Sequence, residues 1–246
     1  MNLIVDIGNT SAKIAVMDGN RVICRHTAEH LSDELLDGVL TDYPLIDKAI
    51  VSATGADGAR AYALVSQRVK FVLGFDASVP VPLGNAYGTP STLGSDRLAA
   101  AVGASVLYGR RNMLIVDFGT AVTYDLVVDG TFVGGNISLG LRSRLRALHE
   151  YTAHLPLCEP AEERLPFGTT TRTAIEQGAM SGLEYETEGY IRRFGEKYDD
   201  LCVIFTGGDA KYFVKRIKNT IFANCDLIFV GLNAILEYNT DARENE

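Results

Sequence analysis

The sequence predicts an α/β fold built of two equivalent halves facing each other across a central cleft, and three observations carry that reading. Apolar runs of strand length alternate with segments of helical period along the whole chain. A strand–turn–strand unit occurs twice: Asp6, Gly8 and Asp18-Gly19 recur as Asp117, Gly119 and Asp129-Gly130, each 111 residues later. Both copies open on an apolar run, Leu3-Ile4-Val5 and Leu114-Ile115-Val116. The repeat divides the chain into halves at 1–112 and 113–246.

Taken in order, residues 3–6, 12–17 and 21–25 read as strands joined by short turns, with Asp18-Gly19 as a hairpin signal. A helix near 30–40, a buried strand at 48–52, a helix near 59–67 and a strand at 71–73 follow. Residues 75–93 hold Pro80, Pro82 and Pro90 among Gly84 and Gly88, and read as a functional loop. Residues 95–108 form a helix, 113–117, 121–128 and 131–133 strands, and 141–151 a helix. An irregular stretch, 152–169, precedes a long helix from about 171 to 198. The chain closes with a strand (201–206), a helix (210–218), a short strand near 220–223 and a helix (230–238), then a polar tail from 240 expected to fray.

Composition excludes several classes. Twenty-three Lys+Arg stand against 31 Asp+Glu, a net charge of −8, with no basic run that would gain from a nucleic-acid backbone. No apolar stretch approaches the ~18–20 residues of a membrane span, and the start Met1-Asn-Leu-Ile-Val-Asp6 has no signal-peptide pattern. A cytoplasmic protein with neither a nucleic-acid nor a membrane partner is expected. Cys24, Cys158, Cys202 and Cys225 are scattered without a C-x-x-C pair, and His26 and His30 fall on a strand-to-loop stretch rather than a ligand pair.

The repeated unit carries chemistry suited to nucleotides. Asp6, at the end of a central strand, can hold magnesium directly or through water. The turn Gly8-Asn9-Thr10 offers backbone N–H groups without bulk, and Lys13 adds a positive charge. Asp117, Gly119, Thr120 and Thr123 supply a second such turn. Neutralised phosphate charge, a metal and positioning are the requirements of phosphoryl transfer. The plainer alternative is that Asp6 and Asp117 cap hairpin turns. G-x-x-x-x-G-K-[ST], G-x-G-x-x-G and G-x-S-x-G are all absent, so neither a P-loop, a dinucleotide fold nor a simple hydrolase is supported.

Asp6-Ile-Gly-Asn-Thr10 with Lys13, Gly94-Ser-Asp-Arg97, Asp117-Phe-Gly-Thr120 and Gly134-Gly-Asn-Ile137 together resemble the type III pantothenate kinases. The resemblance runs in order over nearly the whole chain, through Thr206-Gly-Gly208 and the closing Val230-Gly-Leu-Asn-Ala-Ile-Leu segment. It implies duplicated ribonuclease-H-like halves, the actin-like ATPase fold shared with sugar kinases and heat-shock ATPases. It implies ATP-dependent phosphorylation of pantothenate to 4′-phosphopantothenate, the entry to coenzyme A, with Mg2+ and a monovalent cation, K+ or NH4+.

Position by position, the resemblance assigns Asp6, Ile7, Gly8, Asn9, Thr10, Ser11, Ala12 and Lys13 to the first phosphate loop and Thr120 to the second. Asp96 takes the place of the catalytic base, Gly94, Ser95 and Arg97 lie beside pantothenate, and Tyr87 lines its pocket. Asp117 matches the monovalent-cation ligand. Thr171 matches a threonine reaching the pantothenate of the partner subunit, with Thr173 as its rival. Chemistry supports Asp96 independently, because a carboxylate can accept the proton of an attacking primary alcohol. It is also suited to the first turn of a helix. Arg97 can pair a substrate carboxylate in a fork. The chain departs from the family at Leu139, where a proline is usual, and the turn is expected to persist through Gly140. A silent nucleotide-binding relative and a superfamily kinase acting on another small acceptor are the competing readings. A homodimer is expected on the long helix, where Ile175, Ala179, Leu183, Tyr190, Ile191 and Phe194 form an apolar stripe beside Gly178 and Gly182. Such a stripe can equally pack on its own domain.

Overall fold

Asn2–Ile7 is buried along its whole length, as a strand covered on both faces must be. In the computed structural model, which describes residues 1–8, 11–53, 57–217 and 221–244, it forms the centre (β1) of a five-stranded sheet. The order is β3-β2-β1-β4-β5, with β2 (Ala12–Asp18), β3 (Arg21–Ala28), β4 (Lys48–Ala53) and β5 (Phe71–Phe75). β2 runs antiparallel to β1 and β3 antiparallel to β2, while β4 and β5 are parallel. Helices α1 (Asp33–Asp42) and α2 (Gly58–Ser66) bury Leu36, Val39, Ala61 and Val65 in the core with Leu3, Val5 and Ile14. Ser32 accepts the Leu35 N–H through its hydroxyl at 3.2 Å, so α1 begins at Asp33 rather than near 30. The loop after β5 is tied by a short strand, β6 (Gly84–Asn85), and leads into α3 (Ser95–Tyr108), buried continuously from Arg97 to Ala104.

The second half repeats the plan. β7 (Met113–Phe118) is antiparallel to β8 (Ala121–Val128) and parallel to β10 (Cys202–Thr206), which is parallel to β11 (Ile221–Ala223); β9 (Thr131–Leu139) lies beyond β8. Five strands of this six-stranded sheet, β9-β8-β7-β10-β11, repeat the order of the first, with β6 added beyond β9, so the duplicated ribonuclease-H-like halves are present. Helices α4 (Leu141–Glu150) and α5 (Thr171–Gly195) pack on each other. The irregular stretch ahead of α5 is held by side chains of that helix. Gln177 accepts the Leu165 N–H at 3.1 Å and donates to the Glu163 carbonyl at 2.9 Å, and buried Glu184 pairs with Arg164 at 2.6 Å.

Contacts divide the chain into two compact units: Met1–Gly109 with Gly130–Phe132 and Asp226–Glu246, and Arg110–Asp129 with Val133–Cys225. A division at residue 112 gives the closing helix, α6 (Leu227–Glu244), to the second half by chain order; its packing gives it to the first, against α3, β1 and β4. A Cβ on Gly103 would strike the Leu227 carbonyl and one on Gly231 the Ala99 carbonyl, so α3 and α6 meet backbone to backbone. A polar network ties the middle of α6 to the first sheet: Asn2 Nδ2 donates to buried Asn233 Oδ1 at 2.8 Å, Asn233 Nδ2 to the Gly19 carbonyl at 3.1 Å, and half-buried Lys48 pairs with Glu237 at 3.3 Å.

Several local expectations differ from the structure. The helix expected at 210–218 is a 3-10 turn, Ala210–Tyr212, followed by further turns to 217, with residue 218 outside the described residues. Its Tyr, Phe and Val side chains lose rotamer freedom in a helix, and buried Phe213 stacks on Phe118 with centroids 4.7 Å apart. α6 starts at Leu227 rather than 230 and is helical to Glu244, so the tail does not fray from 240; Thr240 is buried and donates to the Leu236 carbonyl at 3.1 Å. β3 and β9 run longer than expected, and α5 ends at Gly195. Among the described residues no helix is long and apolar enough to cross a membrane.

Candidate active site

In the first unit, the β1–β2 hairpin sets Asp6 opposite Lys13 in register, and the turn between them is closed by the Gly8 N–H donating to the Ser11 carbonyl at 3.0 Å. Ile7 and Ala12 are the last pair of the ladder and are buried; Asn9 and Thr10 lie outside the described residues. Asp6 is only 5 % exposed. Burial pushes its carboxyl up to about 6, Lys13 opposes that shift, and the carboxylate of Asp96 adds to it. Asp6, Lys13 and Asp96 are therefore one electrostatic group.

Asp96 sits in the first turn of α3, and its Oδ1 accepts the Arg97 N–H at 2.8 Å. The carboxylate folds back over Gly94, where a Cβ would lie 2.6 Å from Oδ1. The Ser95 hydroxyl does not cap the helix; it lies 3.1 Å from the hydroxyl of Ser52, a fully buried residue of β4 in register with Asp6. The Ser52–Ser95 link thus ties the start of the Asp96 helix to the strand beside Asp6. A lone hydroxyl in the apolar run of β4 is the only trace of this in the sequence.

Tyr87 and Arg97 also come together. Arg97 is 6 % exposed, with its guanidinium carbon 5.6 Å from the Tyr87 ring centroid and 5.7 Å from that of Phe132. The Tyr87 loop is sewn to residues 130–132 by the Gly84 N–H on the Gly130 carbonyl (3.0 Å) and the Ala86 N–H on the Phe132 carbonyl (2.9 Å). Sequence reasoning missed Phe132, because nothing local to Thr131-Phe132-Val133 announces a contact with residues so far upstream.

In the second unit, Asp117 is in register with Thr123, and the turn is closed by the Gly119 N–H on the Ala121 carbonyl at 3.1 Å. Gly207 has φ +90°, and a Cβ there would run into the Asp117 carboxylate, so the Thr206-Gly207-Gly208 segment must be glycine at this point. Thr120 is exposed, and its carbonyl accepts the Gly140 N–H at 3.0 Å and the Ser143 hydroxyl at 2.7 Å. Gly140 thereby holds the turn that Leu139 enters without a proline. At the start of α5, Thr170 and Thr173 form a capping box, each hydroxyl accepting the other's N–H at 3.0–3.2 Å, while Thr171 is exposed at the first helical position. The α5 stripe packs inward: Ile175, Ala179, Leu183 and Ile191 lie in the second unit's own core, with Tyr190 and Phe194 against it. It is core, not an open face. Its hydrophobic period could not name its partner.

The chain is similar in sequence to a family of known proteins. The family model described as type III pantothenate kinase matches residues 2–193. A Bacteroides fragilis protein named type III pantothenate kinase is 42% identical over 97% of this chain and 98% of its own length. A Porphyromonas gingivalis protein of the same name is 39% identical over 97% and 98%. Among solved structures, the activator of 2-hydroxyisocaproyl-CoA dehydratase from Clostridium difficile, with bound ADPNP, superposes with a TM-score of 0.57 at 13% identity, covering 99% of this chain and 97% of that one. Component A of (R)-2-hydroxyglutaryl-CoA dehydratase from Acidaminococcus fermentans does so at 0.53 and 14%, covering 98% of each. At that identity the likeness is one of fold, the actin-like ATPase fold.

Proposed function

The chain belongs to the type III pantothenate kinase family, and from that premise we propose that it transfers the γ-phosphoryl group of ATP to the primary hydroxyl of pantothenate, giving 4′-phosphopantothenate for coenzyme A synthesis. The observation that carries the proposal is the Asp6–Lys13–Asp96 group, a buried acid, a cation and a helix-borne carboxylate in one electrostatic neighbourhood.

Each residue has a role that its setting suits. Asp96 accepts the hydroxyl proton as the oxygen attacks phosphorus. Lys13 and the turn that follows β1 bear on the phosphates, and Thr120 lies in the corresponding turn of the second unit. Arg97 pairs the pantothenate carboxylate and Tyr87 lines its chain. A carboxylate buried as deeply as Asp6, with one lysine opposing its desolvation, suits a divalent ion, which is commonly held by one or two carboxylates together with substrate phosphates. Mg2+ there would neutralise developing phosphate charge. Asp117, pressed against Gly207, offers oxygen ligation to K+ or NH4+.

We also infer a homodimer in which Thr171 reaches the partner's pantothenate. Thr173 is committed to the capping box, which favours Thr171 as the threonine left to reach outward. The face of α5 that carries Gly178 and Tyr185, 64% exposed, takes the place of the buried stripe as the contact, along with exposed Ile137 and Leu139 of β9. Tyr185→Glu is expected to give a monomer by sedimentation at micromolar concentration with reduced pantothenate turnover; an unchanged dimer would reject this face. A cytoplasmic location follows from the supply of ATP. The function itself is tested by coupled ADP release: purified protein with Mg2+ and K+ should consume ATP only when pantothenate is added. Pantothenate-independent hydrolysis, or transfer to another acceptor alone, would contradict it.

A further inference from the structure

Arg97 is 6 % exposed, and aromatic rings make up part of its surroundings. Their quadrupole attracts a cation without neutralising it, and a flat guanidinium is oriented by the rings it lies against. Arg97 has two such rings within 6 Å, and these are not independent: Tyr87 and Phe132 meet edge to face with centroids 5.9 Å apart and planes at 67°. Tyr87 is half-buried on a loop, whereas Phe132 is fully buried at the start of β9. Phe132 also fixes the other ring through the main chain, since its carbonyl accepts the Ala86 N–H directly before Tyr87.

We propose that Phe132 is a positioning residue that sets selectivity for an acidic acceptor, holding the Arg97 guanidinium at one angle against Tyr87 so that it meets a carboxylate as a fork. This rests on the reading that Arg97 pairs the pantothenate carboxylate. Phe132 itself touches no reacting atom. Its removal should therefore weaken recognition of the acid and leave phosphoryl transfer alone.

Phe132→Leu deletes the ring while leaving the backbone hydrogen bond to Ala86 available. The readout is kcat/KM for pantothenate divided by kcat/KM for its neutral primary amide, a ratio in which any loss of folded protein cancels. A cation–π contact of ordinary strength predicts a fall in that ratio of roughly 3- to 30-fold, carried by KM for pantothenate, with kcat and KM for ATP within about twofold. Phe132→Met fills irregular space with a flexible side chain and should give the same fall. Phe132→Tyr keeps the ring and should restore the ratio. Arg97→Lys is measured alongside. If Arg97→Lys collapses the ratio and both Phe132→Leu and Phe132→Met leave it within about twofold of the unaltered protein, Phe132 has no positioning role. If Arg97→Lys also leaves the ratio unchanged, the carboxylate reading of Arg97 itself is wrong.

Discussion

The two acid-bearing turns are built alike and charged differently. Both follow the central strand of a sheet of the same order, and both are closed by a backbone bond from a glycine N–H. The first closes from Gly8 to Ser11 and the second from Gly119 to Ala121, one residue sooner; β8 is one residue longer than β2, so the following Asp-Gly turn returns to the same offset. Across the ladder Asp6 faces Lys13, whereas Asp117 faces Thr123. Asp6 is buried and Asp117 half-buried. The lesson is a division of labour. Under the proposed function, the first turn carries its own cation for phosphate, Lys13, and the second has a neutral hydroxyl, Thr123, at the matching place, which leaves that task there to a soluble cation.

The largest expected effect lies beside the first turn. Asp96→Asn keeps size and the hydrogen bond to the Arg97 N–H but removes the proton acceptor, so kcat should fall ~10²–10⁴-fold with KM for pantothenate little changed. A rate within about twofold of the unaltered protein would leave Asp96 as a helix-terminal acid only.

Asp6 gives a stability effect that opposes its use. Its folded pKa, about 6, lies above the ordinary value of 3.8, so the folded state binds the proton more tightly. Stability from this group is full below about pH 3.8 and is lost as pH rises toward and through 6. Asp6→Asn should thus be more stable than the unaltered protein at pH 7.5 without nucleotide or metal, by on the order of 1–3 kcal/mol, with the difference vanishing at pH 4. Thermal melts at the two pH values decide it; an Asn variant no more stable at pH 7.5 would mean that Asp6 is not penalised by burial.

A smaller effect sharpens the contrast directly. Thr123→Lys places a cation opposite Asp117, as Lys13 stands opposite Asp6. The ratio of rates with and without K+ should fall toward one, from an activation of about tenfold to about twofold, an electrostatic substitution of modest size. An undiminished potassium requirement would show that the two turns are not electrostatic counterparts.

Most of this scaffold was legible in the sequence because it follows from short-range patterns. Apolar strands, Asp-Gly turns and the recurrence of Asp6 and Gly8 as Asp117 and Gly119 are local signals, and they gave both sheets. What was not legible depends on pairing across the chain. Ser52 is beside Asp6 only because β4 pairs with β1, and Phe132 meets Tyr87 through the pairing of β6 with the start of β9. The α5 stripe had the right period and a different partner from the one expected, since amphipathicity fixes which face is buried and not against what. α6 joined the first unit through Gly231 against α3, a contact no composition rule announces.

The division of labour is tested most directly by titrating one rate against two ions. Pantothenate-dependent ADP release is measured across MgATP concentration and across K+ concentration for the unaltered protein, Asp6→Asn and Asp117→Asn. The account predicts that Asp6→Asn raises the MgATP requirement while its K+ curve keeps its midpoint. It predicts that Asp117→Asn shifts the K+ curve to higher concentration or abolishes activation, with residual activity near the potassium-free level. If both substitutions move the same axis by the same factor, the two turns share one task and the comparison fails.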